Sequence, residues 1–188
     1  MKKFLTLKNI LLCSACIFAL VAFILSFTAD VKFVDAEGYG EMFFNFIWGP
    51  KKLAEFGNGQ TQTAPIPAEL LPMPVATLPL VGSLLVFIGA VAAVVVGLLV
   101  KKPWAKWVVL GCAVVVLVGG VFFFFIKDGA LAQLAKAMRV DKEGAQAIID
   151  YYKLKIKSAG AVVGGIMGIL SACSLCGAAF VPEKQLLK

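Results

Sequence analysis

Five cysteines are the residues best able to do chemistry in this 188-residue chain. Cys13 and Cys16 form one CxxC pair, Cys173 and Cys176 form another, and Cys112 stands alone. Two CxxC pairs at a common depth would suit a zinc ion or a dithiol couple. Cys13 lies five residues past Lys8, Cys112 six past Lys106, and Cys176 eight before Lys184. At ~1.5 Å of rise per residue, all five then fall within about two helical turns of one another in depth. The same thiols also suit a simpler role, as small and slightly polar residues at helix interfaces. A thiolate in hydrocarbon is disfavoured, and the chain has no histidine to serve as its base. The simpler role is preferred, and no metal or cofactor is expected.

The lack of histidine also removes any Ser–His–Asp triad and any His-ligated metal. The formal charge of +7 resembles a nucleic-acid signal until it is placed on the chain. Lysine supplies 17 of the 18 basic residues and Arg139 the other, whereas phosphate and nucleic-acid sites favour arginine forks. These lysines mostly flank apolar runs, so the charge concerns membrane topology. No nucleic-acid partner is expected. Every Asp, Glu, Lys and Arg lies at a helix end or in a connection. An ionisable residue at mid-membrane depth is the usual mark of a transport pathway, so ion-coupled transport and voltage sensing are disfavoured. Taken together, these absences predict a protein that is not an enzyme.

Elements must hold these residues in place, and composition names the environment. Hydrophobic residues make up 61% of the chain and charged residues 15%, with a mean hydropathy of +0.93. Soluble domains sit near 45–50% apolar and about 25% charged. The excess falls in four runs, at about residues 9–27, 78–100, 104–126 and 158–181. Each supplies the ~20 residues needed to cross ~30 Å of hydrocarbon. The first run is too long for the apolar region of a typical signal peptide and is expected to stay as a helix. The fold class predicted is an all-α membrane protein, a four-transmembrane-helix bundle with a small extracytoplasmic β-hairpin or sheet in the first long loop. Residues 1–188 are read as a single membrane domain.

Only Lys101-Lys102-Pro103 separates the second and third runs, which forces a tight antiparallel hairpin. Trp104 and Trp107 sit where an interfacial aromatic belt belongs. The other two connections are long, residues 28–77 and 127–157. The first opens with strand-like Val31-Lys32-Phe33-Val34, passes Gly38 and Gly40, and continues through Phe43, Phe44, Phe46 and Trp48. Those four aromatics form either an exterior contact patch or the core of the loop itself. The loop's later half carries five prolines between Pro65 and Pro79 and is expected to be extended. The second connection is helical in character, with Asp141 placed to cap a helix through Ile148 and Ile149. The third and fourth spans are therefore expected to project beyond the membrane and to meet near Arg139–Asp141.

Orientation follows from lysine placement. With the N-terminus inside, the cytoplasmic parts carry eight lysines against Glu183 alone, the first long loop carries −3, and the second +3. A raw count of basic residues slightly favours the reverse, ten against eight. The first span usually dominates, and it has three lysines before it and Asp30 just after, so both termini are placed in the cytoplasm of a multi-pass plasma-membrane protein.

Small residues line the spans. The fourth holds Gly160, Gly164, Gly168, Ala172 and Cys176 at strict four-residue spacing, and the second holds Gly89, Ala93 and Gly97. Such stripes let helix backbones approach closely, which is where association energy arises when lipid removes the hydrophobic drive. The stripe packs either inside one bundle or between subunits.

The layout of a long first exterior loop with strand character, a short cytoplasmic hairpin and a shorter second exterior loop resembles the claudin-type tetraspans. Ile47-Trp48-Gly49 is a faint echo of their first-loop signature, whose cysteines are missing here. The resemblance is one of topology over the whole chain and carries no site residue across. The expected partners are the lipid bilayer and the protein itself or another membrane protein. Two functions follow as expectations: an interaction or accessory subunit acting through its exterior loops, or a subunit of an oligomeric pore. A thiol or metal protein is a third.

Overall fold

The computed structural model describes residues 6–28, 30–34, 42–45, 49–54, 63–64, 77–137 and 139–181. Among them four helices are long and apolar enough to cross a membrane, at Leu7–Ser26, Leu78–Leu99, Ala105–Ala132 and Ala159–Phe180. The helical elements are α1 (Leu7–Thr28), α2 (Thr77–Leu99), α3 (Ala105–Phe122), α4 (Ile126–Ala137), α5 (Lys142–Tyr151) and α6 (Ala159–Phe180). A 3-10 turn at Phe123–Phe125 joins α3 to α4, so the third span runs 28 residues. The strands are β1 (Asp30–Val34), β2 (Met42–Asn45), β3 (Gly49–Ala54), β4 (Thr63–Ala64) and β5 (Lys155–Lys157).

Local sequence explains where the helices begin. The Thr6 side chain accepts a hydrogen bond from the Asn9 backbone N–H at 3.2 Å and caps α1. Ser158 does the same for α6 through the Ala161 N–H at 3.3 Å, and Asp141 for α5 through the Gly144 N–H at 2.7 Å. Pro79 falls in the first turn of α2, where a missing N–H costs nothing because no carbonyl precedes it.

The chain divides into two compact units, described in turn. The first contains most of α1, α2, α3 and α6. In α1 and α6 its buried positions step by three and four residues in alternation. In α1 they are Leu12, Ala15, Ala19 and Ala22; in α6 they include Gly164, Gly168, Ser171, Leu175 and Ala178. A mean step of 3.5 residues keeps a seam facing its neighbour when helices coil left-handedly around each other. The seams are built from small residues, so backbones come close. A Cβ placed on Gly82 would stand 2.6 Å from the Gly119 carbonyl oxygen, and one on Gly119 would stand 2.7 Å from that of Gly82. Similar contacts join α3 to α6 at Gly120 and Gly168, α1 to α2 at Leu12 and Gly97, and α1 to α6 at Leu11 and Gly177. The order around the bundle is thus α1, α2, α3, α6, with sequence neighbours antiparallel. The Phe23 and Phe87 rings stack across α1 and α2 with centroids 4.6 Å apart.

The second unit contains β1 to β5, α4 and α5. Its sheet has the order β4-β3-β2-β1-β5, with antiparallel pairing throughout the described ladders. β1 and β2 register Val31 with Phe44 and Lys32 with Phe43. β5 comes from the other connection and registers Phe33 with Ile156, so strands from both long loops lie in one sheet. The register at this edge sets Lys32 opposite Lys157.

α4 and α5 pack on each other with the turn at Arg139–Asp141. The third span continues in sequence through Phe123–Phe125 into α4. α5 stops at Tyr151 and is separated from α6 by β5, so the fourth span does not extend as expected. The cause is a six-residue closing loop: the Leu154 N–H donates to the Ile149 carbonyl oxygen at 2.9 Å, with Lys153 in left-handed backbone at φ 49°. Arg139 at φ 55° ends α4 in the same way, with the Val140 N–H on the Ala135 carbonyl oxygen.

Candidate functional sites

In α6, a step of four residues advances about 40° around a helix of 3.6 residues per turn. The predicted stripe therefore spirals across several faces. Gly164 lies against the Phe123 ring, with a Cβ there standing 2.6 Å from Cε1. Gly168 lies against the backbone of Gly120, and Ala172 is buried. Gly160 is half-buried and Cys176 is exposed. Gly164, Gly168 and Ala172 thus form part of the face that α6 turns into its own bundle.

Cys13, Cys173 and Cys176 are exposed on the outside of the bundle, while Cys16 and Cys112 are half-buried. None is in a disulfide. Among the described residues no group of three or more Cys, Asp or Glu is arranged to hold a metal ion. The seam positions are instead taken mostly by Ala, Gly and Ser, with Leu and Val between them. Ser83 and Ser171 are buried polar members of these helices, and the Ser171 hydroxyl donates to the Ala15 carbonyl oxygen at 2.8 Å and ties α6 to α1. No buried side-chain oxygen or nitrogen among the described residues lacks a hydrogen-bond partner.

Of the predicted exterior patch, Phe43 and Phe44 lie in β2, while Phe46 and Trp48 fall outside the described residues. The second unit carries a different feature, a groove of about 650 Å³ between α4, α5 and β5. Leu131, Ile149, Leu154 and Ile156 give it apolar surface. Asp128, Asp150 and the lysines at 127, 155 and 157 give it charge, and the Gln146 amide donates to Asp150 Oδ1 at 2.9 Å across its wall. Tyr151, which follows the groove residue Asp150 in the chain, is 81% exposed and meets Tyr152 edge-on, with ring centroids 5.0 Å apart. Sequence places Tyr152 in the helix capped by Asp141 but singles out neither tyrosine as a contact residue, although a Tyr-Tyr pair just past an amphipathic run is a signal for one.

A recess lies at an end of the bundle, where the start of α1, the end of α2, the start of α3 and the end of α6 converge. It measures about 190 Å³, and Lys8, Lys101, Lys102 and Lys106 are all among its lining residues. Trp104 and Trp107 at the start of α3 are exposed, and the Lys106 ammonium lies 5.4 Å from the Trp107 ring centroid.

Four apolar spans packed through small-residue seams, with charge confined to their ends, define an integral membrane protein of the four-span class. Its outer helix faces, including Ile17, Ile88, Val95, Val114 and Ile166, are exposed and must meet lipid. No match was found among protein-family models, curated proteins or solved structures, so the class carries no family name.

Proposed function

We propose that this is a non-enzymatic membrane subunit whose exterior unit makes contacts with another membrane protein or a second copy. The observation that carries this reading is the groove between α4, α5 and β5, with its apolar surface, its charged rim and the exposed Tyr151 that follows Asp150 in the chain. Interfaces are built around aromatic anchors with polar surroundings, and tyrosine gives large contact area at low entropic cost. The sheet formed from both long connections would hold that surface on the extracytoplasmic side of the plasma membrane. The claudin-type layout fits such a role.

A pore between copies is the other reading of the sequence, built on Gly160, Gly164, Gly168, Ala172 and Cys176. Gly164 and Gly168 are already covered by α3 of the same chain, and a Cβ at Gly168 would also stand 3.3 Å from Val86 across the bundle. The contact reading therefore has the better support.

A photo-crosslinking residue placed at Tyr151, and separately at the lipid-facing Ile88, tests it in native membranes. Protein adducts are expected from position 151 and not from 88. Adducts from 88 alone would replace the exterior contact with an intramembrane one. A thiol-labelling tag in residues 57–63 tests the assigned side.

A further inference from the structure

We propose that the recess at the lysine-bearing end of the bundle binds a phosphate group, that of an anionic phospholipid headgroup. The four helix termini around it contribute partial charges of roughly half an elementary charge each, two positive at the starts of α1 and α3 and two negative at the ends of α2 and α6. These cancel, and the four lysines remain. No acidic side chain is among the described residues that line it. Four ammonium groups gathered around one hollow repel one another, and a counter-anion seated between them relieves that repulsion.

Size and depth select the ligand. At about 190 Å³ the recess has several times the ~30 Å³ share of one water, enough for a phosphodiester group. It is below the ~300 Å³ of ordinary small-molecule pockets, so a whole metabolite would not be enclosed. Trp104 and Trp107 mark the level of the headgroups, where a lipid phosphate is already held at high local concentration. Leu12, Val100 and Val109 line the recess alongside the lysines and offer apolar contact to the glycerol and first methylenes of the lipid. The lysines that set topology are here drawn into a shaped site, because the α2–α3 hairpin brings three of them beside Lys8 of α1.

The test uses the full chain in neutral detergent micelles, with bound lipid counted by native mass spectrometry. The probes are phosphatidylglycerol, phosphatidylcholine and inorganic phosphate. Retention of one phosphatidylglycerol over phosphatidylcholine is expected. Lys8→Gln and Lys106→Gln should each weaken it roughly fivefold, the effect of one basic residue near an anionic surface. Ala179→Phe keeps every charge and fills the recess, and should abolish retention. Lys142→Gln, in the other unit, should leave it unchanged. Equal retention of both lipids, or unaltered retention in Ala179→Phe, would overturn the site in favour of diffuse charge. Competition by inorganic phosphate at equal concentration would assign the recess to a free anion and overturn the lipid source. Lys106 is exposed, so its variant leaves a folded protein to measure if Ala179→Phe does not fold.

Discussion

Gly120 and Gly168 meet backbone to backbone: a Cβ on Gly168 would lie 2.8 Å from the Gly120 Cα, and one on Gly120 would lie 3.1 Å from the Gly168 carbonyl carbon. Neither helix can yield by turning a side chain aside. Gly168→Ala and Gly120→Ala should each separate α3 from α6 at a cost of about 1–3 kcal/mol, the usual range for overpacking. Gly111 is on the same helix with nothing within 4 Å of its Cβ position. Gly111→Ala should be neutral or stabilise by up to about 1 kcal/mol. Unfolding in mixed detergent micelles reads all three, and equal effects would mean that close approach is not what holds this pair.

Phe123 and Gly164 form a knob and its hole. The Phe123 side chain is fully buried, and a Cβ on Gly164 would stand 2.6 Å from its ring. Gly164→Ala should destabilise alone and be partly rescued by Phe123→Leu, which shortens the knob. Phe123→Ala should cost less than the ~3–5 kcal/mol of a soluble core, because the unfolded helix keeps this ring in lipid and only the cavity and lost contacts count. A double-mutant cycle on thermal stability gives the coupling; simple additivity would sink the pairing.

Ser171 links α6 to α1 through the Ala15 carbonyl oxygen. Interhelical hydrogen bonds in membranes average ~0.6 kcal/mol, because the separated helices also find partners. Ser171→Ala should therefore cost about that amount and leave assembly intact. Ser171→Leu should be far worse, since the site is closed to added bulk. Micellar unfolding midpoints separate the two, and a loss above ~2 kcal/mol for alanine would mean the hydroxyl does more than bridge.

Lys153 holds a left-handed backbone at φ 49° so that the chain can leave α5 and enter β5. A side chain there costs roughly 1 kcal/mol that glycine avoids. Lys153→Gly should slow hydrogen exchange of the α5 amides by about fivefold, while Asp141→Ala removes the cap at the other end and should speed it by a similar factor. Matching changes in one direction would show that these termini do not control α5.

Much of this could be read before any fold was known. Hydrophobic length is a property of consecutive residues, so the four spans, the Lys101-Lys102-Pro103 hairpin and the Asp141 cap are legible one segment at a time. The helical nature of the second connection was legible for the same reason. β5 was not, because Lys155-Ile156-Lys157 is too short to declare itself without β1 beside it. The packing faces were only half visible. A stripe of small residues announces close approach, but in lipid every apolar face is equally tolerated, and partner geometry selects the 3.5-residue seam over the four-residue one. That choice buried Gly164 and Gly168 and left Cys173 and Cys176 outside, where composition alone had offered them as interface residues. The basic recess was least visible of all. Lys8 and Lys101 are far apart in sequence, and only the order of helices around the bundle brings their ends to a common hollow. Sequence by itself determined the solvent of each segment; the tertiary structure decided which segments became neighbours, because contact between helix surfaces depends on shape and the hydrophobic effect supplies no preference for it inside a membrane.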